Sequence, residues 1–147
     1  MSVEPGVVDA NILVYAVNSA APQHTASRAL LEAALDPAVS LYVTSQILCE
    51  FYSLITNRKR VPMAWSSAEA VHLISELLAS PGIKVLPTPV QAITGLLELL
   101  ERSAVTGSDV FDLQIVATMQ ANNIWRIYTF NASDFEIFPE LTVCTPR

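Results

Sequence analysis

The sequence predicts an α/β domain: a central parallel sheet of four or five strands flanked by helices. Two observations carry this. Short apolar strand-like runs alternate from end to end with longer segments of helical periodicity, the order that builds parallel sheets. The 147 residues are 52% hydrophobic and 15% charged, with no repeat, low-complexity tract or long linker. That describes one folded domain, residues 1–147, with a real core to bury.

Taken in order, Gly6-Val7-Val8-Asp9 reads as a short buried strand and Asn11 to Val17 as a short helix. Pro22 to Leu35 is helical, with Ala26, Ala29, Leu30 and Ala33 as its inner stripe. Leu41-Tyr42-Val43 is a second strand, followed by a helix from Ser45 to Asn57. Ser66 or Ser67 caps a helix running to Ala79. Ile83 to Leu86 is a third strand, bracketed by Pro81-Gly82 and Pro87, and Val90 to Arg102 is a helix with a Leu-rich face. Ser108 or Asp109 caps a helix from Val110 to Ala121. Ile127-Tyr128-Thr129 is a fourth strand, Asn131 to Phe138 a loop with one helical turn, and Leu141 to Cys144 a final strand.

Composition narrows the class. The mean hydropathy is +0.41, yet no run reaches the ~18 apolar residues of a membrane helix. Such apolar excess points to a partner that covers part of the surface, with the helices around Leu30 to Leu35 and Leu48 to Ile55 as candidates. The first eight residues lack the pattern of a secretion signal, so a cytoplasmic protein is expected. Cys49 and Cys144 lack metal-ligand spacing and read as small apolar core residues in a reducing compartment. A net charge of −6 argues against broad electrostatic nucleic-acid binding. That objection weakens if several acids surround divalent ions, each offsetting two charges.

Most acids, including Glu32, Asp36, Glu69, Glu76, Glu98 and Glu101, fall on polar faces or in loops. Three do not. Asp9 ends the first strand, where α/β sheets collect ligands, and it also suits the cap of the following helix. Glu50 lies within Ile47-Leu48-Cys49-Glu50-Phe51-Tyr52 and borders a buried stripe, although a lone Glu there often snorkels to water. Asp112 opens a helix and shares a face with Ile115 and Val116. Asp109 with Asp112 three residues later also resembles a capping box, which accounts for Asp109 better than for Asp112. Burying an unpaired carboxylate costs several kcal/mol, so three such positions imply a shared counter-ion. Oxygen-only ligation suits Mg²⁺ or Mn²⁺.

At these residues the sequence resembles the PIN-domain nucleases, and within them the VapC-type toxins of toxin–antitoxin pairs. The matching segments are Val-Val-Asp9-Ala-Asn11-Ile-Leu, Ser45-Gln-Ile-Leu-Cys-Glu50-Phe-Tyr, Val-Phe-Asp112-Leu-Gln-Ile-Val-Ala-Thr and Ile-Tyr-Thr129-Phe-Asn131-Ala-Ser-Asp134-Phe135, with Pro146 closing the chain. Four weak signals in order across one domain make a strong one. The resemblance implies metal binding and catalysis by Asp9, Glu50 and Asp112. It implies a fourth group after the fourth strand, either Asn131 or Asp134. Asn11 and Thr129 would orient a ligand or water, and Asn11 is equally a local turn former.

The implied activity is Mg²⁺-assisted hydrolysis of RNA phosphodiester bonds with one or two ions. The implied partners are RNA, a second copy of the chain and a small antitoxin protein. Arg58-Lys59-Arg60 either grips RNA phosphates beside the site or reflects the preference of helix C-termini for cations. His24 and His72 read as surface or packing residues, Trp65 and Trp125 as core or interface. Two other readings were weighed. A phosphoryl-accepting receiver domain needs an acidic pair at the first strand, an Asp ending the third and a Lys ending the last, and all are absent. A catalytically silent PIN-like module that binds RNA or protein is the alternative, but no core acid is missing.

Overall fold

The computed structural model describes residues 2–61 and 63–147. Five strands form one sheet: β1 (Gly6–Val8), β2 (Leu41–Val43), β3 (Ile83–Val85), β4 (Arg126–Tyr128) and β5 (Thr142–Cys144). Their order is β3-β2-β1-β4-β5, and every neighbouring pair is parallel. Six helices connect them: α1 (Ala10–Ala16), α2 (His24–Ala33), α3 (Ser45–Thr56), α4 (Ser67–Ala79), α5 (Gln91–Arg102) and α6 (Val110–Ala121). Short 3-10 turns at Gly107–Asp109 and Ala132–Asp134 complete the order.

The central strand is apolar because it has no wet face. Val7 and Val8 are fully buried, as are Leu41, Val43 and Ile127 on the neighbouring strands. Parallel sheets covered by helices on both sides select such continuous apolar runs. The chain leaves β1 toward β2 and β3 on one side and β4 and β5 on the other. The crevice between the carboxyl ends of β1 and β4 is therefore the topological switch point of the sheet, where ligands gather in open α/β folds.

Local signals fix the ends of the elements. Thr44 accepts from the Ile47 amide and so starts α3. Ser66, not Ser67, caps α4, and Glu69 closes a capping box back onto the Ser66 amide. Asn123 has φ 57°, and the Asn123 and Ile124 amides return to the Gln120 and Met119 carbonyls. That is a Schellman stop for α6. Gly82 is required by contact: a Cβ there would sit 2.7 Å from the Ala34 carbonyl oxygen.

Four expectations need correction. Of the stripe expected on α2, Leu30 is buried, Ala26 and Ala33 are half-buried and Ala29 is exposed, with Ser27 buried in its stead. Both cysteines are free thiols; Cys49 is exposed and not a core residue, whereas Cys144 is half-buried and packs against the core. Asp109 makes no side-chain cap bond, since the 3-10 turn before α6 places it in helical backbone conformation. The segment Leu48 to Ile55 mostly faces inward, with Phe51 and Ile55 buried. Exposed large apolar side chains lie instead at Val71 and Leu78 of α4, at Val90 just before α5, and at Ile93 and Leu97 of α5. Among the described residues no helix is long and apolar enough to cross a membrane.

Candidate active site

Asp9 stands at the switch point, where its amide donates to the Tyr128 carbonyl at 3.0 Å and extends the pairing of β1 with β4. Its side chain is 7% exposed. One carboxylate oxygen, Oδ1, accepts from the Ala10 amide at 2.8 Å and so caps α1. The other, Oδ2, accepts from the Thr129 hydroxyl at 2.8 Å and from Asn11 Nδ2 at 3.0 Å. Cap and ligand are compatible roles, because a carboxylate has about four lone-pair sites.

Thr129 and Asn11 are bound to each other as well. Asn11 Nδ2 also reaches Thr129 Oγ1 at 3.2 Å, and Asn11 Oδ1 accepts from the Phe130 amide at 3.1 Å. Thr129 Oγ1 accepts in turn from the Asn131 amide at 3.0 Å. Asn11 is thus a cross-strand tie, not a local turn former. The network clamps the Asp9 carboxylate in one orientation.

Glu50 and Asp112 approach from two helices. Glu50 is half-buried on α3, and its Oε1 accepts from Gln46 Nε2 at 3.1 Å. Asp112 is half-buried in the first turn of α6. All three acids feel the same two forces. Burial, then the nearby negative charges, raise Asp9, Glu50 and Asp112 above ordinary carboxylate values. For Asp9 the hydrogen bonds from Thr129, Ala10 and Asn11 oppose that rise without cancelling it. Asp112 is pushed up to about 7, first by burial and then by the charges of Asp134, Asp9, Glu50 and Asp109.

Asp9, Glu50, Asp112 and Asp134 are thus near enough for their charges to act on one another, with Asp9 and Asp134 both acting on Asp112. Asp134 is exposed on the turn after β4, yet it is the largest electrostatic influence on Asp112. Asn131 is exposed, and its amide serves Thr129. Between the two, the electrostatics favour Asp134 as the fourth group.

Arg58, Lys59 and Arg60 are not brought into the cluster. They follow the end of α3 remote from β2, all exposed, in a turn where the Asn57 side chain accepts from the Lys59 amide. None lies in the last turn of α3, so the helix-terminus explanation does not hold for them. His24 Nδ1 meets the Tyr15 carbonyl, and His72 pairs with Glu76 on the surface of α4. Trp65 packs at the edge of the core and Trp125 is 42% exposed.

The residue that sequence reasoning missed is Gln46. Its position one helical turn before Glu50 was the available signal.

The donor set fits a divalent ion. It offers carboxylate oxygens only, raised by burial and by one another, and no cationic side chain is among the groups acting on them. Among the described residues no three such side chains form a ready-made cage. Mg²⁺ does not need one, because it keeps several waters and takes one or two carboxylates beside substrate phosphate.

A parallel sheet of order β3-β2-β1-β4-β5 with a clamped carboxylate at its switch point defines an open α/β domain whose ligand site lies at the strand ends. The PIN domain family model matches residues 6–140, and the chain belongs to that family. It is 28% identical over 116 residues to a VapC ribonuclease of Mycobacterium bovis, covering 79% of each chain. The ribonuclease VapC43 of Mycobacterium tuberculosis matches equally well. Among solved structures, VapBC2 from Rickettsia felis, bound to a promoter DNA fragment, superposes with a TM-score of 0.69 at 19% identity, covering 98% of this chain and 100% of that one. VapC20 of Mycobacterium tuberculosis, a Sarcin-Ricin loop cleaving toxin, superposes with a TM-score of 0.66 at 18% identity, covering 90% and 94%. At those identities the superpositions establish the shared fold.

Proposed function

We propose that this chain is a divalent-metal-dependent endoribonuclease that hydrolyses RNA phosphodiester bonds, and the toxin of a toxin–antitoxin pair. The observation that carries the reading is Asp9, buried at the switch point with its carboxylate clamped by Thr129 and Asn11, while burial and neighbouring negative charge raise Asp9, Glu50 and Asp112 together. A protein keeps such an arrangement where a function needs it. The curated relatives named as VapC ribonucleases support the activity.

Asp9, Glu50 and Asp112 would hold the ion, Mg²⁺ or Mn²⁺, with Asp134 near enough to contribute directly or through water. A bound divalent ion supplies electrostatic stabilisation of charge on the phosphate and lowers the pKa of a water. The chain's own contribution is orientation. Thr129 and Asn11 fix Asp9 Oδ2, so this carboxylate enters the site already aimed. Asp112, at about 7, must release its proton before it can ligate. Metal affinity should therefore rise with pH through neutrality.

The antitoxin would use a different surface. An apolar groove lies between α1, α2 and α4, lined by Leu13, Ala16, Leu31, Leu35, Leu73 and Leu77. Arg28, Glu32 and Glu76 also line it, but none of Asp9, Glu50, Asp112 and Asp134 does, so we assign it to protein binding rather than to RNA. Solved complexes of VapB with VapC on this fold support a partner of that kind. RNA substrates and free thiols both fit a reducing cytoplasm.

The test is induced expression in a bacterial host, with total RNA analysed for cleavage. Wild type should arrest growth and cut RNA, and Glu50→Gln should do neither. Equal arrest by both proteins, with RNA intact, would favour the silent binding module.

A further inference from the structure

Gln46 does more than accompany Glu50. Its Nε2 donates to Glu50 Oε1 at 3.1 Å and to the Phe111 carbonyl oxygen at 2.8 Å. Both hydrogens of the side-chain amide are thereby used. Phe111 immediately precedes Asp112 in the first turn of α6. As a helical carbonyl it has one lone pair for the α6 ladder and a second for Gln46. One neutral amide therefore joins the carboxylate on α3 to the backbone that carries the carboxylate on α6.

The tie matters because these helices have little else to hold them in register. α6 packs chiefly on α5, and α3 packs on α1 and α4. Meanwhile the charge of Glu50 acts unfavourably on Asp112. Left alone, Glu50 would lower its energy by swinging into water, since it is half-exposed on a flexible side chain. The Gln46 amide opposes that motion from both ends.

We propose that Gln46 is a positioning residue of the acidic site: it holds Glu50 toward Asp112 by bridging α3 to the first turn of α6. It touches neither RNA nor ion and acts through Glu50. This rests on the reading of the acids as a metal site. Groups that orient metal ligands typically govern 10–100-fold in metal affinity or activity.

The experiment is Mn²⁺ titration of the purified full chain by calorimetry, at constant pH, for wild type, Gln46→Leu, Glu50→Gln and the double variant. Gln46→Leu keeps the size and removes both donors. Its Mn²⁺ affinity should fall about 10-fold or more. Its melting temperature in EDTA should stay within a few degrees of wild type, because the side chain is only part-buried. On the Glu50→Gln background the same substitution should cause no further loss. If Gln46→Leu melts early, Gln46→Met, a more flexible isostere, takes its place in the same cycle. Wild-type affinity in the leucine and methionine variants would overturn the role of Gln46 while leaving the metal site intact. An equal loss on the Glu50→Gln background would overturn it too, because Gln46 would not be acting through Glu50. Wild type that binds no Mn²⁺ would remove the metal site itself and the inference with it.

Discussion

The three acids are unequal in how they are held. Asp9 is buried, capped onto α1 and clamped by Thr129 and Asn11, whereas Asp112 takes most of the repulsion. Asp9→Asn, Glu50→Gln and Asp112→Asn should each abolish RNA cleavage while leaving the circular dichroism spectrum unchanged. Asp109→Asn should cost far less, because Asp109 is exposed and is the last of the influences on Asp112. The raised pKa values also set a pH dependence. A carboxyl group at about 7 in the folded chain and 3.8 as its reference binds more protons when folded. Its contribution to stability is complete below about 3.8 and is lost as pH rises through about 7. Metal-free protein should thus melt at progressively lower temperature from pH 5 to pH 8, insofar as this cluster dominates. Saturating Mg²⁺, at a hundredfold excess over its Kd, should add about 2.7 kcal/mol. A melting temperature in EDTA that climbs over this range would show that the acids do not repel one another as described. Asp9, Glu50 and Asp112 were legible in the sequence because each breaks an apolar pattern. Gln46 was not, because a polar residue in a first helical turn breaks no pattern, and its partner on Phe111 is 65 positions away.

Elements were legible where their ends carry chemistry. A capping serine at 66 or 67 announced α4, and Pro81-Gly82 announced the entry to β3. The start of α6 was misread in kind. Asp109 looks like a cap in sequence, but a 3-10 turn precedes the helix and leaves that side chain without a cap bond. The inner face of α2 was misread in part because small Ala side chains pack either way, whereas Ser27 and Leu30 are turned inward by the contact with α1. Three substitutions test the stops and starts. Ser66→Ala should destabilise the fold by about 1 kcal/mol through loss of the cap. Asn123→Ala should cost about 1–2 kcal/mol, because φ 57° is left-handed backbone, and Asn123→Gly should not. Urea denaturation of the three variants measures both, and an Asn123→Ala variant as stable as wild type would contradict the Schellman stop.

For the whole molecule, the topology follows from the alternation of elements, but the strand order does not. Nothing local in β4 states that it pairs with β1 rather than with β3. The pairing is fixed by the helices that must cover both faces, and it is what creates the switch point at Asp9. The apolar excess of the composition is likewise resolved only at this scale. Part lies in the groove between α1, α2 and α4, and part on Val90 at the N-terminal end of α5 with Ile93 and Leu97 of that helix, spaced by three and four residues. The homodimer expected from the sequence can be tested at those three residues. Ile93→Lys with Leu97→Glu should shift the protein toward monomer in sedimentation velocity at micromolar concentration. A wild-type chain that is already monomeric there would contradict that expectation.

In the proposed site, Asp9, Glu50 and Asp112 act together on RNA through a divalent ion. The most direct measurement of this is cleavage of a fluorescently labelled cellular RNA pool by the purified chain, with Mg²⁺ or with EDTA, for wild type and Asp112→Asn. The account predicts products only from wild type with Mg²⁺, none in EDTA, and none from Asp112→Asn under either condition although that variant remains folded. Cleavage by wild type in EDTA, or by Asp112→Asn at the wild-type rate, would contradict it.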